Sequence, residues 1–108
     1  MSIDGKLTKT DDDAYTGWVA GITFDIDITL IDNPRKTKPT HPDFAIVAKS
    51  PRGREIRIGS AWLTKSRANN EYLSMAIDLN GSTVRVNAMQ DPDGETGEYT
   101  IFPWAAGE

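Results

Sequence analysis

Residues 58–78 read IGSAWLTKSRANNEYLSMAID. Two stretches in which apolar and polar residues alternate flank a short polar loop. Successive side chains of a strand point to opposite faces, so this pattern predicts a β-hairpin with one buried face. Ile58, Trp62, Leu73, Met75 and Ile77 are its expected core residues. The tip carries Lys65 and Arg67, and it is the part most open to a functional reading.

The same period of two extends along the chain. FDIDITLID (24–32) sets Phe24, Ile26, Ile28 and Leu30 against Asp25, Asp27 and Thr29. REIRIGSAW (54–62) alternates on Ile56, Ile58, Ser60 and Trp62, and TVRVNAM (83–89) on Val84, Val86 and Ala88. Weaker strand signals lie at 3–10, 14–22, 43–49 and 98–102. Turn-forming residues separate the runs: Asp11–Asp13, Gly53, Asn69-Asn70, Asn80-Gly81 and DPDGETG. Asn80-Gly81 after an alternating run is a strong two-residue hairpin signal. No stretch of ten residues carries an apolar stripe at helical spacing. The expectation is an all-β fold: a small antiparallel barrel or rolled sheet of about seven to eight short strands.

A chain of 108 residues holds one core, so residues 1–108 form a single domain. The chain has no cysteine, which excludes disulfides and thiolate metal sites. The N-terminus lacks an apolar signal segment, and no run approaches the ~18 apolar residues of a membrane-spanning helix. A cytoplasmic protein without a membrane partner is expected. Residues 105–108 are expected to fray.

The net charge of −4 conceals an asymmetry. Residues 1–32 and 71–108 are acidic, whereas residues 33–70 carry nine of the chain's twelve Lys and Arg. Within the basic part, residues 32–42 form an irregular loop with Pro34, Pro39 and Pro42. Each proline removes a backbone donor and disfavours helix in the residue before it.

The acidic clusters Asp11–Asp13 and Asp91/Asp93/Glu95 could offer oxygen ligands to a hard cation. DPDGETGE does not meet the EF-hand spacing, and solvated turns explain both clusters more simply. Catalysis has little foundation. The single histidine, His41, has no recognisable nucleophile partner, and no nucleophile elbow, phosphate loop or dinucleotide fingerprint is present. No catalytic residue, metal or cofactor is expected.

The basic segment favours phosphate contact. Arg35, Lys36, Lys38, Lys65 and Arg67 are the candidate nucleic-acid-binding residues, and small barrels commonly bind oligonucleotides through one sheet face and adjoining loops. The competing reading is a protein partner, of host or mobile-element origin. It would be engaged by the aspartate-rich surface or by an exposed edge strand, and such an edge would also permit a homodimer.

Several segments resemble one family. Ile3-Asp4-Gly5-Lys6-Leu7-Thr8-Lys9, Tyr15-Thr16-Gly17-Trp18-Val19, Pro42-Asp43-Phe44, Ile58-Gly59-Ser60-Ala61-Trp62 with Lys65-Ser66, and Tyr72-Leu73-Ser74 are similar to domain of unknown function 736. Those are small proteobacterial proteins. The likeness spans nearly the whole chain and is most specific at 58–79. TFDIDITLIDNPRKTKPTH is more acidic and then more basic than the family pattern, and DLNGSTV replaces a longer connection. The resemblance implies a compact β domain, often encoded on plasmids and integrative elements, and no established activity or cofactor. The resulting expectation is a non-catalytic mobile-element accessory that binds nucleic acid. The alternative is an inhibitor or adaptor acting on a host nuclease or defence complex.

Overall fold

A computed structural model describes residues 3–10, 14–33, 37–38, 40–65, 71–79, 81–90 and 97–103. Alternation of apolar and polar residues produces eight strands: β1 (Ile3–Lys9), β2 (Tyr15–Gly21), β3 (Asp25–Asp32), β4 (Phe44–Lys49), β5 (Glu55–Lys65), β6 (Glu71–Leu79), β7 (Ser82–Gln90) and β8 (Glu98–Pro103). Each pairs antiparallel with the next, and β8 returns to β1 with Gly5 opposite Ile101. The result is a closed eight-stranded barrel, the first of the two architectures expected from the sequence. The β6–β7 connection follows its Asn-Gly signal. Leu79 pairs with Ser82 across a two-residue loop, and Gly81 takes φ +96°, a left-handed conformation that glycine adopts without a Cβ clash.

The inward residues fill the barrel. Leu7, Ile28, Leu30, Ile46, Leu73, Met75, Ile77 and Ile101 are all at most 1% exposed. Burial of each such side chain stabilises the fold by roughly 1.5–3 kcal/mol. Among the described residues no polar or charged residue is buried as a whole. Asp25 and Asp27 stand on the outer wall, as the alternation of FDIDITLID requires.

β5 departs from the expected register. Ile46 pairs with Gly59 but Val47 with Arg57, so Ile58 is the extra residue of a β-bulge. The bulge reverses the parity of the strand. Before it, Ile56 and Ile58 face inward; after it, Ala61 does, and it is fully buried. Leu73, Met75 and Ile77 occupy the core as expected, and Ile58 packs half-buried against it. Trp62 does not: the bulge turns it onto the outer wall, opposite Ser74.

Closure gives every strand two neighbours, though not along its whole length: β1 meets β2 over Ile3–Lys9 but β8 only from Gly5 to Thr8, and β3 meets β4 only from Thr29 to Asp32. The edge open to strand addition is thus reduced to short stretches.

Candidate nucleic-acid interface

Antiparallel strands deliver their connections alternately to two ends of the barrel. One end carries the connections after β1, β3, β5 and β7; the other carries those after β2, β4 and β6. The described basic residues of 33–70 therefore do not converge. Lys38 and Lys65 are exposed at the first end. Lys49, Arg52 and Arg54 lie at the second, separated by the length of β4, roughly 20 Å for six residues. Arg57 stands between, folded onto its own strand, where it donates to the carbonyl oxygen of Gly59 and the hydroxyl of Ser60. Arg35, Lys36 and Arg67 lie outside the described residues, as do the acidic clusters 11–13 and 91–95.

At that end the second half of the Pro-rich segment is tied to β5. Trp62 Nε1 donates to the Thr40 carbonyl at 3.1 Å, and the Leu63 amide donates to Asp43 Oδ2 at 2.8 Å. The Asp43 amide donates to the Ala61 carbonyl at 3.0 Å, which extends the β4–β5 pairing by one step beyond Phe44. Within the segment, the His41 amide donates to the Lys38 carbonyl at 3.0 Å, and the Thr37 amide donates to His41 Nδ1 at 3.3 Å. The lone histidine thus spends one ring nitrogen holding a turn. Asn33 closes the base of the segment through Nδ2 to the Pro42 carbonyl at 2.8 Å.

These contacts hold the segment that carries Lys38 against Trp62, and Lys65 ends β5 at the same end of the barrel, opposite Glu71. Tyr72 joins them from β6: it lies opposite Thr64, diagonal to Trp62 and on the same outer wall. Diagonal positions of an antiparallel pair are within reach of aromatic side chains. The wall continues through Ser74, Asn87 and Phe102, which are in register across β6, β7 and β8. Met89 lies beside them, opposite Tyr72, and Phe102 and Met89 are exposed. Asn87 Oδ1 is buried without a hydrogen-bond partner, an open acceptor within this apolar strip.

The alternation places Trp62 in the core, and it offers Phe44, Trp62 and Tyr72 as the aromatics nearest the basic segment without joining them to Asn87 in one surface. One signal could have exposed the error. Gly59 interrupts the alternation of β5, and glycine inside a strand marks bulges and close backbone approaches. Of the aromatics weighed for an interface, Trp18 and Phe102 are exposed on the outer wall, whereas Tyr99 packs against the core. Trp104 lies outside the described residues.

Among the described residues no three His, Asp or Glu side chains are grouped so as to hold a metal ion. Fold and surface together define a small up-and-down β-barrel whose outer wall carries a mixed aromatic and basic corner. The chain belongs to the family described as protein of unknown function DUF736, which it matches over residues 3–104. No curated protein and no solved structure matches it.

Proposed function

We propose that the protein is a non-catalytic accessory of a mobile genetic element that binds single-stranded nucleic acid at the Lys38–Trp62–Lys65 corner. The observation that carries this reading is the bulge at Ile58, which turns Trp62 onto the same outer wall as Tyr72, at the end of the barrel where Lys38 and Lys65 are exposed. Stacking of bases on aromatic side chains beside phosphate-facing cations is how single strands are held without sequence readout, and each stacked base contributes ~1–3 kcal/mol. Arg35, Lys36 and Arg67 belong to the same proposal through the segments that carry them. The mobile-element part rests on the family resemblance alone.

The test is an anisotropy titration with single-stranded DNA, duplex DNA and RNA, at low and at physiological salt. Preference for single strands and a log-linear fall with salt are expected. Replacing Arg35, Lys36, Lys38, Lys65 and Arg67 by glutamine should weaken binding and flatten that slope. Binding that survives this replacement unchanged would place the interface elsewhere.

A second reading has its own observation. Asp4, Ala20 and Asp25 are in register on the outer wall of β1–β3, with exposed Asp27 one outward position further along β3. A row of exposed carboxylates can present negative charge to a nucleic-acid-binding protein, so an inhibitor or adaptor of a host nuclease is the alternative. A partner retained in a pull-down after nuclease digestion would favour it.

A further inference from the structure

The barrel is stoppered at one end and open at the other. At the end where β4 begins, Tyr15 packs edge-on against Phe44 and Tyr99, with ring centroids 5.3 and 5.4 Å apart. At the opposite end the interior widens into a cavity of about 660 Å³. Its walls are Phe24, Ile26, Ile56, Ile58, Leu79 and Val84. Ile56 faces inward in register with Ala48, yet it is 49% exposed because the mouth in front of it is open. An eight-stranded barrel is just wide enough to be filled by side chains or to hold one small ligand. The volume falls within the roughly 300–1,000 Å³ of small-molecule sites.

The placement of polar groups decides the kind of ligand. The side chains away from the rim are Phe24, Ile26, Ile58 and Val84, so a polar body pushed into the depth of the cavity would find no side-chain partner for the hydrogen bonds it loses to water. The polar lining residues Thr23, Lys49, Ser50, Asp78 and Ser82 stand on strand ends and turns, at the rim. An apolar tail with a single polar head satisfies both conditions. Lys49 lines the rim on the β4 side, and the turn that follows it adds Arg52 and Arg54. Asp78 lines it on the β6 side and opposes an anion there. Lys49 Nζ lies 3.8 Å from Glu55 Oε2, and both side chains are more than half exposed, so that pairing competes weakly with a bound carboxylate.

We propose that the open mouth binds a medium-chain aliphatic carboxylate, its tail against Ile26, Ile56, Ile58 and Val84 and its head at Lys49. The site lies at the end opposite the aromatic and basic corner, so it stands or falls independently of nucleic-acid binding.

Isotope-labelled full-length protein titrated with sodium decanoate below its micelle concentration tests the assignment. Saturable shifts are expected at the methyl groups of Ile26, Ile56, Ile58 and Val84. Decan-1-ol should bind more weakly than decanoate, and decylammonium weakest. Ile56→Glu sits at an exposed position and brings a carboxylate to the tail, so it should weaken decanoate binding by about tenfold or more. Lys49→Gln, on the rim and outside the core, should abolish the preference for decanoate over decanol while decanol still binds. Absence of saturable shifts at the mouth, tighter binding of decylammonium, or an undiminished preference in Lys49→Gln would overturn the proposal.

Discussion

Trp62 and Thr40, 22 residues apart, are joined by one hydrogen bond: the indole Nε1 donates to the Thr40 carbonyl at 3.1 Å. With the Leu63 amide donating to Asp43 Oδ2, it makes residues 40–43 a flap fastened along β5. The aromatic ring is thereby fixed on the outer wall without entering the core.

Removal of either tether should loosen the flap before it unfolds the barrel. Trp62→Phe keeps a ring and deletes the donor, which should cost about 0.5–1.5 kcal/mol. Asp43→Ala removes a charged acceptor, and hydrogen bonds to charged groups contribute about 1.5–3 kcal/mol. Urea unfolding should show a lower midpoint with an unchanged slope in both variants. Hydrogen exchange should accelerate at His41 and Leu63 in Asp43→Ala; unchanged exchange at Leu63 would refute the tether.

Two glycines should respond to alanine for different reasons. At Gly17 a Cβ would collide with the backbone carbonyl of Lys6 on the neighbouring strand, which cannot swing aside as a side chain could. Overpacking of this kind costs ~1–3 kcal/mol and occasionally more. At Gly81 nothing lies within 4 Å, and only the φ of +96° opposes a side chain, at about 1–2 kcal/mol. Gly17→Ala should therefore lower the urea midpoint further than Gly81→Ala, and Gly81→Asn should be milder still, since asparagine tolerates left-handed backbone. The reverse order would mean that β1 and β2 are farther apart than described.

The period of two along FDIDITLID and YLSMAIDL was enough to predict strands, their buried faces and the all-β class, because an alternating face is a local property of the chain. The two-residue loop at Asn80-Gly81 was legible for the same reason. Barrel closure was not decided against a rolled sheet, since the Gly5–Ile101 pairing joins opposite ends of the sequence. Nor was the position of Trp62: one extra residue at Ile58 reverses every later side chain of β5, and alternation on Ile56 and Ile58 continues correctly up to that point. The charges of 33–70 misled by proximity. They are neighbours in the chain, but β4 and β5 carry Lys49, Arg52 and Arg54 to the end away from Lys38 and Lys65.

The reversed parity makes a quantitative prediction. Leu73, fully buried, should lose about 2–5 kcal/mol on replacement by alanine. A tryptophan in the core would lose about 3–5 kcal/mol, but Trp62 on the outer wall should lose less than Leu73 despite its larger side chain. Ala61, which occupies the inward position the sequence assigned to its neighbour, should reject leucine at about 1–3 kcal/mol. Urea titrations of Leu73→Ala, Trp62→Ala and Ala61→Leu decide the matter: a Trp62→Ala loss larger than that of Leu73→Ala would return the ring to the core.

The turn between β4 and β5 should depend on its backbone rather than on its charges. Lys49 and Glu55 face each other across it at 3.8 Å, both well exposed to solvent. Exposed pairs of this kind contribute about 0–1 kcal/mol and fade as salt rises. The turn has firmer supports: the Ser50 amide donates to the Arg54 carbonyl at 2.7 Å, and the Gly53 amide donates to the Ser50 carbonyl at 2.8 Å. Ser50 Oγ in addition accepts from the Arg54 amide at 3.1 Å. Ser50→Ala deletes only that side-chain acceptor and should cost about 0.5–1.5 kcal/mol, with little response to salt. Glu55→Gln should cost less, and its small effect should vanish in molar salt. A Glu55→Gln loss that exceeds the Ser50→Ala loss would show that the ion pair holds the turn, and Lys49 would then be committed to Glu55 rather than free to meet an anion at the mouth of the barrel.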